Sequence, residues 1–420
     1  MTLSTYPSGV HSQFGHSTKR PALNIRFILG HLVFALGLLP WVNFGTNELD
    51  TQPWTLIACF LYLATGPAMI VSRPVQQFVG LILLGLLTAV VIGPLDDPFL
   101  TVRGIAGHLC IALTMLVFFD FSSRFAFPIR SLLLINALYL GFAFLDRIDP
   151  SISAIISASR TTEDRGVTSL AAEPSFFAAV LFFLTWIHAA AKNYKFDRTL
   201  RIISVANVLA LVMLAKSALG LILIATTGLA YLFYILTKLK LRYLVGFLGG
   251  ILFFAVLSVP LAELIQGSRL YWIIDSIQNR SVSNFLLTDA SANTRLQSIV
   301  FPIVGTIENF LIPGGFESYG ETVKKLQWDY RVIFLVRGEG NIISSWVGAL
   351  LYELGVFGLL ALIVLLFAGT RMRMEFLTER VLLIAVCIHA LPTNFPPIAI
   401  LIVLLFRRSG SSSRGDRQVA

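Results

Sequence analysis

The chain has 420 residues, of which 56% are hydrophobic and 13% charged, with a mean hydropathy of +0.79 and a formal net charge of +9. A water-soluble domain carries about a quarter charged residues, so this composition excludes a soluble fold. The apolar residues lie in blocks of about 17–25, long enough to cross a bilayer as helix, without the short alternation of an outer-membrane barrel. Helices then remain as the way to satisfy the backbone in lipid.

In chain order, hydropathy predicts spans near residues 27–44, 53–71, 75–93, 104–121, 128–145, 175–191, 202–215, 218–236, 243–264 and 342–367, followed by short ones at 376–391 and 394–406. The last pair reads almost as one long span. Pro392, Pro396 and Pro397 argue instead for two short helices or a re-entrant break, because proline cannot continue a regular helix. The expected fold class is an all-α, polytopic transmembrane helical bundle of 11–12 spans. Its divisions are a polar tail at 1–26, nine spans over 27–264 with a long loop at 146–174, a large loop at 265–341, and three spans over 342–406. The basic, serine-rich residues 407–420 are expected to be disordered.

Lysine and arginine set the orientation, since cytoplasmic loops retain them in excess. With the N-terminus inside, Arg26, Arg73, Arg124, Arg130, Lys192, Arg198, Lys238, Arg371, Arg407 and Arg408 fall on the cytoplasmic side, and both long loops fall outside. Twelve spans keep both termini cytoplasmic. The positive charge is therefore a sign of topology, not of nucleic-acid binding. The first span is expected to be a retained anchor, because a long polar segment precedes it and no small-residue cleavage pattern follows. Cys59, Cys110 and Cys387 are scattered among the spans and read as small core residues.

Long connections are usually functional or disordered, and the two long outer loops carry the unusual residues. In the first, TTEDRGVTSLAAEPSFFAAV leads through Glu173-Pro174-Ser175 into the sixth span, and proline favours the first helical position. That span starts on the outside, so its free N–H groups and positive dipole end face outward, where they suit a phosphate. Arg165 could reach the same place and add a bidentate donor, or could pair with Glu173 and pin the loop. Lys216 and Ser217, in the tight LAKSALG turn, put a further cation beside a second outward helix N-terminus; simple snorkelling of Lys216 explains it equally well.

The second loop holds RLQSIVFPIVGTIENFLIPGG, with Leu296, Ile299, Val300, Ile303 and Ile307 on one helical face, interrupted by Pro302, and is expected to pack on the membrane surface or over the bundle as a lid. Thr294-Arg295-Leu296-Gln297 fits a capping box that would place Arg295 in the first turn of a helix. A cation is unfavourable there, so anion binding accounts for Arg295 better than helix stability does; a solvated surface arginine is the alternative. Arg280 in the same loop is a candidate substrate contact, and Gly314-Gly315 permits a tight reversal or a close approach to a ligand. Glu339, Asn341, Ser344 and Ser345 lead into the tenth span, and Glu353 lies inside it, read as paired within the bundle. Of six histidines, His31, His108 and His188 fall inside spans, and His389, near the outer end of the eleventh, is either packed beside Pro392 or lines a cleft.

Taken together, the arginine eight residues before Glu-Pro-Ser, the AKSALG hairpin, the Arg295 segment running to PGGFESYG, and NIISSWVGALLYELGVFG resemble the O-antigen polymerase and ligase superfamily over about residues 160–365. The resemblance implies a glycosyltransferase of the helical C type in the bacterial plasma membrane. Its substrate would be an undecaprenyl-diphosphate-linked glycan, joined into O-antigen, capsule or exopolysaccharide on the outer face. Arg165 and Arg295 match the arginines thought to hold the donor diphosphate, and Glu173 matches a positioning or general-base glutamate. Ser175, Lys216, Ser217, Arg280, Gly314, Gly315, Asn341, Ser344 and Ser345 would then contact substrate. Where ligases carry a histidine before the asparagine, this chain has Gly340 after Glu339, which favours a polymerase and makes Glu339 a second candidate base. No cofactor or metal is implied. Membrane lipid, a chain-length regulator and a flippase of the same pathway are the implied partners, and a flippase or transporter is the competing reading.

Overall fold

The computed structural model describes residues 25–43, 52–66, 68–149, 152, 166–191, 197–238, 249, 275, 287–336, 343–368, 374–389 and 391–415. The regular structure among them is helical. The helices are α1 (Ile25–Leu38), α2 (Trp54–Ala64), α3 (Arg73–Ile92), α4 (Pro98–Arg124), α5 (Ile129–Ile148), α6 (Pro174–Ala190), α7 (Asp197–Met213), α8 (Ala218–Lys238), α9 (Ala290–Glu308), α10 (Tyr319–Asp329), α11 (Trp346–Phe367), α12 (Met374–Cys387) and α13 (Pro397–Gly415). Of these α3, α4, α5 and α11 are long and apolar enough to cross a membrane, as an α-helical membrane protein requires. Each expected span coincides with a helix except the ninth, 243–264, which apart from residue 249 lies outside the described residues.

Local sequence explains where the helices begin. Pro98 and Pro174 occupy first-turn positions where a missing N–H costs nothing. The Asp97 carboxylate accepts from the N–H groups of Phe99 and Leu100, and the Ser345 hydroxyl accepts from Gly348 N–H. The centre of the bundle is α13, whose residues Ile398 to Val403 are wholly buried between α4 and α6. Cys59, Cys110 and Cys387 are buried thiols, as their positions in the sequence led us to expect.

At one end of the bundle the connections are tied by arginine. Arg26 donates to Thr65 Oγ1, Gly66 O and Ala68 O, while buried Asp120 accepts from Tyr62 Oη, Ile70 N and Arg124. Arg407 donates to Ser122 O, and Arg408 meets Glu379 at 3.0 Å. The opposite end, called here the loop end, gathers residues 93–97, 166–173, 214–217 and 343–345.

Four expectations change. The C-terminal pair of spans is two helices, α12 and α13, with residues 391–396 non-helical before the second as the prolines argue, but α13 continues to Gly415 where a disordered tail was expected. Pro302 does not interrupt α9, which runs unbroken from Ala290 to Glu308. The capping box at Thr294 does not form: the Asp289 carboxylate caps the helix through Ala292 N–H, Thr294 Oγ1 donates back to Ala290 O, and Arg295 lies in the second turn. An aspartate at the cap satisfies the orphan donors one turn earlier, so the argument from an unfavourable first-turn cation falls away. Finally, the buried stripe of α9 is mixed: Asn293, Gln297, Ser298 and Thr306 lie inside with Phe301, while Leu296 and Val300 of the expected apolar face pack half-buried on that core and Ile307 of the same face is exposed.

Residues 311–322 bind the loop end together. Glu317 accepts from Asp96 N–H and Asp97 N–H, both at 2.8 Å, and from Thr101 Oγ1 at 2.5 Å, so one half-buried carboxylate holds the α3–α4 turn. These donors, the Thr101 hydroxyl foremost, hold its pKa below the ordinary glutamate value. A depressed carboxylate contributes stability above its unfolded pKa and loses that contribution as the pH falls through the folded one. Glu317→Gln is therefore expected to lower the melting temperature at neutral pH, with the difference closing below about pH 4, as thermal scans in detergent at several pH values would show.

Candidate functional site

The loop end collects several sequence-derived candidates. Glu173 is the N-cap of α6, half-buried, and its carboxylate accepts from the Ser175 hydroxyl at 3.0 Å. Ahead of it, residues 166–172 are held rigidly. Asp146 of α5 accepts from Thr168 N–H, Thr168 Oγ1 and Ser169 N–H, while Ser169 Oγ donates to Tyr139 O. Val167 N–H then bonds Leu214 O, and a β-carbon on Gly166 would overlap Ala215 O. The first long loop therefore ends docked on the α7–α8 hairpin. In that hairpin Lys216 has φ +44° and, like Ser217, is half-buried, while Gly220 of α8 packs against Ala178 of α6. The N-termini of α6 and α8 thus stand side by side, with Glu173, Ser175, Lys216 and Ser217 around them.

A second group forms about α11. Ser344 is half-buried and Ser345 is spent on capping the helix. Pro302 lies on Gly348, and Gly305 lies on Tyr352, so α9 runs parallel to α11. Arg295, half-buried, stands seven residues before Pro302, roughly 10 Å along the axis towards the N-terminus of α11 and beyond it. The close approach made by Gly314 and Gly315 is to protein: Gly314 N–H bonds Tyr352 O at 2.8 Å, and Gly315, at φ +77°, abuts Gly93. Packing alone accounts for both glycines. Arg165, Arg280, Glu339 and Asn341 lie outside the described residues.

Below these groups lies a polar layer that the sequence only partly revealed. Glu353 is paired inside the bundle, as expected, and its partner is His108 of α4: Nε2 and Oε2 are 2.6 Å apart, with the residues 1% and 9% exposed. Next to His108, Gly107 touches Thr393 and Asn394, so the non-helical stretch 391–396 sits about ten residues, roughly 14 Å, below the start of α4. His389 meets Thr226 of α8 at 3.3 Å, and His389, Thr393 and Asn394 are all half-buried. Non-helical backbone at such depth is tolerated only where protein buries it or a polar cavity meets it. The sequence carried a signal for His108, an ionisable residue inside a span, but nothing in it named Glu353 as the partner. No family model, curated protein or solved structure matches the chain.

Proposed function

We propose that the protein is a membrane glycosyltransferase that polymerises undecaprenyl-diphosphate-linked repeat units into surface polysaccharide on the outer face of the plasma membrane. The observation that carries this reading is the pairing of the α6 and α8 N-termini, with Glu173, Ser175, Lys216 and Ser217 gathered about them. Free helix N–H groups and a cation suit a diphosphate, and charge stabilisation is the main need of a donor whose leaving group is already good. In this reading Arg165 and Arg295 complete the anion site and the chain crosses the membrane twelve times. The carboxylate of Glu173 or Glu339 takes the proton of an acceptor hydroxyl. The oxygen then attacks the anomeric carbon as its bond to the diphosphate breaks, inverting the configuration without a metal. A lipid or chain-end acceptor would make the same chemistry ligation.

Arg165→Ala and Arg295→Ala are each expected to shorten or abolish long surface polysaccharide at unchanged membrane levels, with the lysine variants retaining part of it. Normal chain lengths in both alanine variants would overturn the assignment. A transporter or flippase is the second reading, and the His108–Glu353 pair at mid-depth together with the break in α11 at Gly355 favours it, since such features line translocation paths. A disabled flippase strands lipid-linked units on the cytoplasmic leaflet, whereas a disabled polymerase strands them outside.

A further inference from the structure

Helices α9 and α10 form an antiparallel hairpin. Gln327 Nε2 donates to Gln297 Oε1, while Asn293 exchanges bonds with Ile333 O and Leu335 N–H, so the base of the hairpin is fixed by buried amides. Its tip, residues 309–315, descends along α11 to Gly355, ten residues into that span. There α11 is broken: Gly355 has φ +56° and ψ −130°, and the missing rung is replaced from the tip. Val356 N–H bonds Leu311 O, and Tyr352 O accepts from Gly314 N–H, both at 2.8 Å.

Depth can be read from the neighbours. Leu354 and Phe357 of α11 pack on Gly85 of α3, seven residues before that membrane-length helix ends at Ile92. Leu311, level with Gly355, therefore lies on the order of 10 Å inside the span. The N–H groups of the tip need no water. Asn309, Phe310, Leu311, Ile312 and Gly314 all donate their N–H groups to protein carbonyls, and residue 313 is proline. Its large exposed side chains are apolar, Phe310 87% exposed, Ile307 66% and Ile312 54%, with Asn309 the exposed amide among them, and they continue across the Gly93–Gly315 contact to exposed Val91 and Ile92 of α3. Glu308 reaches Lys325 of α10 at 3.0 Å, which neutralises the one acid of the tip and draws it towards the hairpin base. The exposed face of α10, by contrast, carries Glu321 and Lys324.

We propose that the α9–α10 hairpin is re-entrant, its tip at Ile307–Ile312 inserted in the leaflet at the loop end and in contact with lipid acyl chains. This is independent of the glycosyltransferase reading. A soluble lid would show a polar face; this tip shows large apolar side chains while its N–H groups are bonded to protein, as irregular chain in hydrocarbon requires.

The test places single cysteines at Phe310, Ile312 and Lys324 in the full chain reconstituted into phosphatidylcholine vesicles, attaches a nitroxide, and measures collision with oxygen and with a water-soluble nickel chelate. The native cysteines are buried, and unmutated protein gives the labelling background. Labels at 310 and 312 are expected to favour oxygen over nickel by several-fold relative to the label at 324. Equal nickel access at all three positions would overturn the proposal. So would labels at 310 and 312 reached by neither reagent, since the tip would then be covered by protein. Because each substitution sits at an exposed position, monodisperse reconstitution is expected, and a fluorescently labelled Phe310→Cys protein quenched by brominated lipid supplies a second readout.

Discussion

Gly355→Ala is expected to destabilise the fold by about 3 kcal/mol and to release the hairpin tip from α11. The position combines a left-handed φ, which costs a non-glycine residue about 1–2 kcal/mol, with a site where an added β-carbon would stand 2.6 Å from Pro313 N and overlap Leu311 O. The backbone cannot yield cheaply, because the same groups supply the two hydrogen bonds that replace the lost rung of the helix. Thermal unfolding in detergent measures the loss, and a nitroxide attached through the Phe310→Cys substitution would become mobile. Gly80→Ala in α3 is the control: nothing lies within 4 Å of its β-carbon position, and alanine favours helix, so its stability should hold or rise slightly. Equal melting temperatures for parent and Gly355→Ala would mean that the break in α11 is not a structural requirement.

Single substitutions of the His108–Glu353 pair should cost more. His108→Ala leaves the Glu353 carboxyl buried without its partner, and Glu353→Ala does the same to the imidazole, each at about 3–5 kcal/mol. Glu353→Gln should cost less, since the amide can still bond the ring. A double variant, His108→Leu with Glu353→Met, is expected to recover much of the loss, because well-packed apolar residues can replace a buried polar pair. This cycle separates two roles. If the pair only ties α4 to α11, the double variant is stable and functional. If it lines a translocation path, as in the transport reading, the double variant is stable and inactive. A double variant as unstable as either single one would show that the surrounding packing, not the pair, sets the cost.

The resemblance to O-antigen polymerases rests on motifs in order, and two of those motifs lie together among the described residues. Glu173-Pro174-Ser175 and the Lys216 hairpin come together because Asp146 and the Leu214 carbonyl hold residues 166–172 in place. Arg295 stands apart from them on α9, towards the N-terminus of α11. A shared substrate would have to bridge the two places, which is why both arginines need to be tested separately.

Hydropathy and turn chemistry by themselves determined the helical class, the spans now seen as helices, the start of α6 at Pro174 and the interruption at Pro392–Pro397, because in lipid each backbone must close its own hydrogen bonds locally. They also placed Glu353 in a paired interior position. They erred over residues 290–315, where Pro302 is carried inside a helix, Asp289 rather than Thr294 forms the cap, and the buried side of α9 carries a polar stripe beside its apolar residues while Ile307 is exposed. Each of these is settled by contacts remote in sequence. Gly348 receives Pro302, Gln327 and Leu335 satisfy the polar stripe, and α11 opens a rung for Leu311 and Gly314. Periodicity tells which residues share a face of a helix. Only the tertiary structure decides which face meets protein, because that depends on what the opposing helix leaves unsatisfied.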